Sequence, residues 1–146
     1  MKRLYFLILA WTLFPFNVIS EETFLSLKKN AVNVRYGPGF DYPIKYIYKK
    51  IDLPIKQIDK KENFRRIIDL KNNSGWIHVS QLKKVSSIIP KKDIILFSKS
   101  TNFSKPLAKI KRGRMLTLKK CEEKWCKVST DEYVGWVKKE YVWGLN

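Results

Sequence analysis

Apolar and polar residues alternate with a period of two along most of this chain. The alternation recurs in "AVNVR", "LPIKQI", "FRRIID" and "GWIHV", then again in "DIILF", "MLTLKK", "WCKVS" and "GWVKK". A period of two turns one face of each segment to a core and the other to water, the pattern of a half-buried strand. No window carries a long 3.6-residue stripe with caps. Short strands separated by polar turns predict small all-β units.

The strands come in two sets in the same order. The first runs "AVNVR", "PIKYIYK", "LPIKQI", "NFRRI", "SGWIHVSQL"; the second runs "DIILF", "PLAKIKRG", "MLTLKK", "KWCKV", "VGWVKKEYV". Pro43 matches Pro106, Phe64 matches Trp125 and Trp76 matches Trp136, so the offset drifts only from 63 to 61 to 60 residues. A tandem duplication explains this with a few loop deletions, and the paired Gly-Trp dipeptides weigh against one continuous sandwich. The expected units are residues 24–84 and 88–146. "KKVSSIIPKK" reads as the joint, with Pro90 ending one unit and the next strand opening at about Asp93.

Composition adds a compartment and a charge. "MKR" followed by the 13-residue apolar run "LYFLILAWTLFPF" and then "NVIS" has the layout of a secretory leader over residues 1–20, cleaved between Ser20 and Glu21. That run is short for a bilayer, which needs roughly 17–25 residues, so no transmembrane anchor is expected in the mature chain. The protein is expected to be exported, periplasmic or secreted. The formal charge is +17; without Lys2 and Arg3 the rest holds 28 basic against 13 acidic residues, +15. Such an excess suits anionic partners but carries no information about fold. Lysine spread along the whole chain more often marks a solvated surface than a binding stripe.

Export also changes how Cys121 and Cys126 read. They sit in "LKKCEEKWCKV" with strand-like residues on both sides of a polar tip, so the pair can face across a hairpin. A disulfide fits an oxidising compartment. A metal site lacks partners, because the only histidine, His78, belongs to another segment, and a redox role has no supporting residues. Catalysis finds little else to stand on. His78 has no evident serine or cysteine partner in sequence. Asp41, Asp52, Asp59, Glu62 and Asp69 are scattered carboxylates rather than the facing pair, about 5 to 10 Å apart, that glycoside hydrolysis needs. No catalytic residue, metal or cofactor is expected.

"VNVRYGPGFDYPI" resembles the Asn-x-Arg-x-Gly-Pro motif of bacterial SH3-like domains, and "SGWIHVSQL" resembles their closing Gly-Trp-Val-His strand. The second half, with "CEEKWCKV" and "GWVKKEYVWG" but no Arg-x-Gly-Pro, resembles the second unit of a family of exported tandem-repeat proteins without established activity. The likeness spans roughly residues 24–146. Phe64 departs from it, standing where a tryptophan is expected. The resemblance implies two small barrels of five to six strands each after the leader, a binding module, and no catalytic residues.

In such a barrel the "RYGPGFDYP" stretch forms an arch. Gly37 and Gly39 are expected to take positive φ and Pro38 to preset its own near −65°. Arg35 is expected to tie the arch by bonding loop carbonyls. A phosphate cradle is excluded, since no Gly-rich run opens a helix and no Lys-Ser/Thr follows. The indoles of Trp76 and Trp136 are expected to cover the barrel ends. The ligand-groove candidates are Arg35, Tyr36, Tyr42, Trp76 and His78, with cell-wall peptide or another envelope component as partner. The alternative is charge-driven adhesion to anionic envelope polymers or lipid headgroups. Small basic barrels also bind single-stranded nucleic acid, but export argues against that. The second unit reads as a degenerate support, packing on the first through Tyr141 and Trp143.

Overall fold

The computed structural model describes residues 22–146; the leader expected over 1–20 lies outside the described residues. The alternating runs are strands. β1 (Thr23–Leu27), β2 (Val32–Arg35), β3 (Ile44–Tyr48), β4 (Pro54–Lys61), β5 (Phe64–Ile68), β6 (Ser74–His78) and the two-residue β7 (Leu82–Lys83) form one sheet, ordered β3-β2-β6-β5-β4-β1-β7. The second sheet repeats it. β8 (Ser87–Pro90), β9 (Ile94–Phe97), β10 (Pro106–Ile110), β11 (Leu116–Cys121), β12 (Trp125–Ser129), β13 (Val134–Lys138) and β14 (Val142–Trp143) run β10-β9-β13-β12-β11-β8-β14. A single 3-10 turn precedes the last strand of each, at Val79–Gln81 and Lys139–Tyr141. The protein is two small, all-β, SH3-like barrels in tandem.

Each sheet wraps its own core. Val32, Val34, Ile55, Ile67 and Ile77 are fully buried in the first; Leu96, Leu116, Val128 and Val137 fill the matching places in the second. Inward residues alternate with outward ones, as period two requires. β6 shows the rule: Gly75 and Ile77 are buried, while Ser74, Trp76 and His78 face out. A Cβ on Gly75 would strike the Val34 side chain, and one on Gly135 would come within 2.6 Å of the Phe97 carbonyl oxygen, so both glycines mark close strand approaches.

Two strands escaped the alternation. β1 lies between β4 and β7, and the stretch read as a joint carries β8, which pairs with β11 and β14. All four residues of β8 are buried, because one face meets its own core and the other meets the first barrel. A strand covered on both faces has no polar alternation to detect. Each barrel therefore has seven strands rather than five or six.

The barrels meet at a defined seat. The Trp143 ring packs edge-on to Phe24 at 4.8 Å and its Nε1 donates to the Pro54 carbonyl at 3.3 Å. Gly144 follows with φ of 113°, and a Cβ there would press on Pro54 and the Ser87 carbonyl, so glycine is needed for both reasons. Asp52 anchors the other side: it pairs with Lys83, accepts from Ser86 Oγ at 2.9 Å, and offers its carbonyl to Ser87 Oγ. The Lys83 and Ser86 bonds hold its carboxyl below the usual carboxylate range. Tyr141 does not share this seat. It packs on the core of its own barrel, with the Lys92 ammonium 3.7 Å from its ring centre.

Candidate functional site

The arch between β2 and β3 is tied by Arg35, whose Nη1 donates to the carbonyls of Phe40 at 3.3 Å and Tyr42 at 2.8 Å. The two glycines serve it differently from the sequence reading. Neither Gly37 nor Gly39 has positive φ. Gly37 is glycine because the Tyr42 ring lies on it, where a Cβ would collide with the aromatic carbons. Tyr42 is thus a brace of the arch, and Tyr36, 63% exposed, is the free ring.

Beneath the arch, Phe40 packs edge-on to Phe64 at 5.2 Å and lies over His78 at 5.1 Å, with the Arg35 guanidinium 5.4 Å from its ring centre. Phe64, on the outer face of β5, is 6% exposed because Phe40 and His78 cover it. His78 has a serine partner that its sequence context had not revealed. Its Nδ1 caps the 3-10 turn by accepting from the Ser80 amide at 3.2 Å, and sits 2.8 Å from Ser80 Oγ. The hollow left here is about 220 Å³, lined by Arg35, Phe40, His78 and Ser80 but by no carboxylate that would orient the ring as a base.

Trp76 does not cover a barrel end. It stands half-buried on the outer sheet face, with Arg35 its cross-strand neighbour on β2 and Arg66 its neighbour on β5. Arg35, Tyr36, Lys45, Arg66 and Trp76 line a second hollow of about 260 Å³. The five candidates are therefore divided: His78 lies under the arch, Tyr36 and Trp76 face the outer hollow, Arg35 borders both, and Tyr42 lines neither.

The second barrel has two openings beside its own arch. Residues 100–103, the 123–125 hairpin tip and the turn at 138–140 enclose about 560 Å³ beside Trp125, and a further 300 Å³ continues past Trp125 and Lys138 to Phe97 and Tyr141. Phe97 stands where Arg35 stands in the first barrel, opposite Trp136, and packs edge-on to Trp125 at 5.8 Å. Phe103 follows Phe40 by 63 residues, the same step that separates Pro106 from Pro43, but it is 99% exposed and folds down on nothing. Lys138 lies 5.7 Å from the Trp125 ring centre and 5.8 Å from that of Tyr141. Cys121 and Cys126, cross-strand partners at the end of the β11–β12 hairpin, form a disulfide that clamps this wall of the cleft. Phe103 and Trp125 were missed as site residues, although the 63-residue step marks Phe103 as the counterpart of Phe40.

Among the described residues no helix is long and apolar enough to cross a membrane, and no three His, Cys, Asp or Glu side chains gather as a metal site. Paired small barrels with aromatic hollows beside an arch belong to the class of modular binding domains. The bacterial SH3 domain family matches twice, over residues 28–84 and 91–144, and the chain belongs to that family. Its domains are typically extracellular or envelope-associated and commonly bind cell-wall components. No curated protein matches. Among solved structures the chain is similar to NlpC2 from Trichomonas vaginalis, at 11% identity and TM-score 0.39, over 85% of this chain and 48% of that one. NlpC1 from the same organism gives 10% identity and TM-score 0.37, over 86% and 46%. The chain spans about half the length of each. Likenesses this slight inform neither function nor mechanism.

Proposed function

We propose that the protein is a non-catalytic, exported binding module that holds an extended cell-wall peptide in the aromatic cleft of its second barrel. One observation carries the reading: the cleft beside Trp125 is open at about 560 Å³, while in the first barrel Phe40, itself 65% exposed, packs over the matching pair Phe64 and His78. Exposed rings give a large contact area at low conformational cost, and the rim sets Lys124, Lys138 and Lys139 beside Glu123 and Glu140, a mixed lining that suits a peptide carrying charges of both signs. Arg35, Tyr42 and His78 then serve to shape the arch of the first barrel.

The +15 charge supports a second reading, adhesion to any anionic envelope polymer. Retention on purified peptidoglycan sacculi separates the two. Cleft binding persists when salt is raised from low to physiological and falls at least tenfold in a Phe103→Ala, Trp125→Ala double variant, about 1.4 kcal/mol or more. Generic adhesion collapses with salt and ignores the double variant. That second result would replace the peptide reading.

A further inference from the structure

The outer hollow of the first barrel lies outside the cleft just described, and its chemistry is different. Trp76 has an arginine on either side across the sheet, Arg35 from β2 and Arg66 from β5. Neighbouring strands are spaced about 4.8 Å apart, so the two arginine Cα atoms stand roughly 10 Å apart with the indole between them. Lys45 approaches from β3, its ammonium held 3.0 Å from the Ser74 carbonyl and 5.7 Å from the Tyr36 ring centre. No carboxylate lines the hollow. The nearest across the strand pair, Asp59, caps the Lys60 amide at 2.7 Å, and among the described residues Arg35, Lys45 and Arg66 make no ion pair. Three cations therefore line one hollow whose wall holds no carboxylate, Asp59 being the register partner of Arg66 on the adjoining strand, and an anion placed among them gains charge-assisted hydrogen bonds.

The second barrel shows that the arrangement is not a by-product of the fold. There Phe97 replaces Arg35 and Lys127 replaces Arg66 around Trp136, Leu107 takes the bulge position of Lys45, and Lys120, in the place of Asp59, sets its ammonium 5.4 Å from the Trp136 ring centre. One cation of the three remains in its place. Tyr36 and Trp76 offer ring faces, and Arg35, Lys45, Arg66 and Ser74 offer donors, so the lining favours a ligand rich in acceptors with an apolar face to stack. At about 260 Å³ the hollow takes one ring-sized group rather than an extended chain.

We propose that this hollow is a separate site for an anionic sugar, whose carboxylate or phosphate lies between Arg66 and Lys45 and whose ring lies on Trp76. Titration of the purified protein followed by the Trp76 indole N–H resonance tests it. N-acetylmuramic acid supplies the carboxylate, glucose 6-phosphate the phosphate, and N-acetylglucosamine the uncharged control. At least one charged sugar shifts the Trp76 signal saturably at millimolar concentration, leaves Trp125 unmoved, and identifies the oxyanion; the neutral sugar does not. Arg66→Gln with Lys45→Gln, both at exposed positions, weakens that binding about tenfold or more without moving the unfolding midpoint. The Trp125→Ala variant leaves it intact, which keeps this site's fate separate from that of the peptide cleft. The site is refuted if no charged sugar moves Trp76, if the neutral sugar binds equally, or if the double variant binds as tightly as the parent.

Discussion

The two barrels share one strand order and one set of core positions, yet their arches do opposite things. In the first, Arg35 pulls the arch inward through two carbonyls, and Phe40 follows it down onto Phe64 and His78. In the second, Phe97 occupies the place of that guanidinium, and Phe103 stays outside. The arch that an arginine ties lays a ring over its matched pair of residues, and the arch without that tie borders an open cleft. The lesson is that a duplicated unit diverges most cheaply at its loops. Val34 and Leu96 do the same packing work, so the cores tolerate little change, while the surface between arch and turn is remade. The repeat that looked degenerate for lack of an Arg-x-Gly-Pro arch is the one with the larger opening.

The sharpest way to break this comparison is to truncate the matched rings. Phe64→Ala removes a side chain that is 6% exposed and costs about 3 kcal/mol, read as a lower urea midpoint for the first barrel. Trp125→Ala removes a half-buried ring and costs about 1–2 kcal/mol, with its main effect on ligand retention. Equal losses of stability at the two sites would mean that Trp125 is as much a core residue as Phe64.

The disulfide gives a smaller effect confined to one barrel. It closes a loop of only four intervening residues, so replacing Cys121 and Cys126 by alanine costs at most about 2 kcal/mol by loop entropy. The loss falls on the second barrel, because the first has no cysteine, and it loosens the Glu123–Trp125 wall of the cleft. Calorimetry with and without reductant checks it. A loss in the first barrel's transition, or none in either, would contradict the account.

Smallest is the effect at the seat between the barrels. Asp52 has a depressed pKa because Lys83 and Ser86 bond its carboxylate. A depressed value means that its contribution is fully present above the ordinary carboxylate range, near pH 4, and is lost as pH falls through the folded-state value. Asp52 is partly exposed, so the effect is slight. Acidification through that window is expected to lower the midpoint of the first barrel's thermal transition slightly. In Asp52→Asn the lower midpoint is already present at neutral pH and no longer depends on it. A wild-type profile that stays flat from pH 6 to pH 3 would remove Asp52 from the seat.

Much of this architecture was legible in the residues. Matched dipeptides at Gly75-Trp76 and Gly135-Trp136 revealed the repeat, and the spacing of Cys121 and Cys126 revealed a hairpin closed by a disulfide. β8 was not legible, since burial on both faces erases alternation. The role of Gly37 was misjudged for a related reason. A glycine in a turn suggests positive φ, but here the demand comes from the Tyr42 ring above it, a contact that sequence spacing does not reveal.

The chain by itself determined what each segment is: which residues turn inward, how many barrels form, and where charge accumulates. These follow from a two-residue period and from residue chemistry, both local to the backbone. Only the tertiary structure decided what stands beside what. Arg35 and Arg66 flank Trp76, and Trp143 reaches Pro54 across 89 residues, because strand register and barrel docking set those meetings. A one-residue slip in register would turn Trp76 into the core and dissolve the cationic hollow, with the hydrophobic pattern along each strand unchanged.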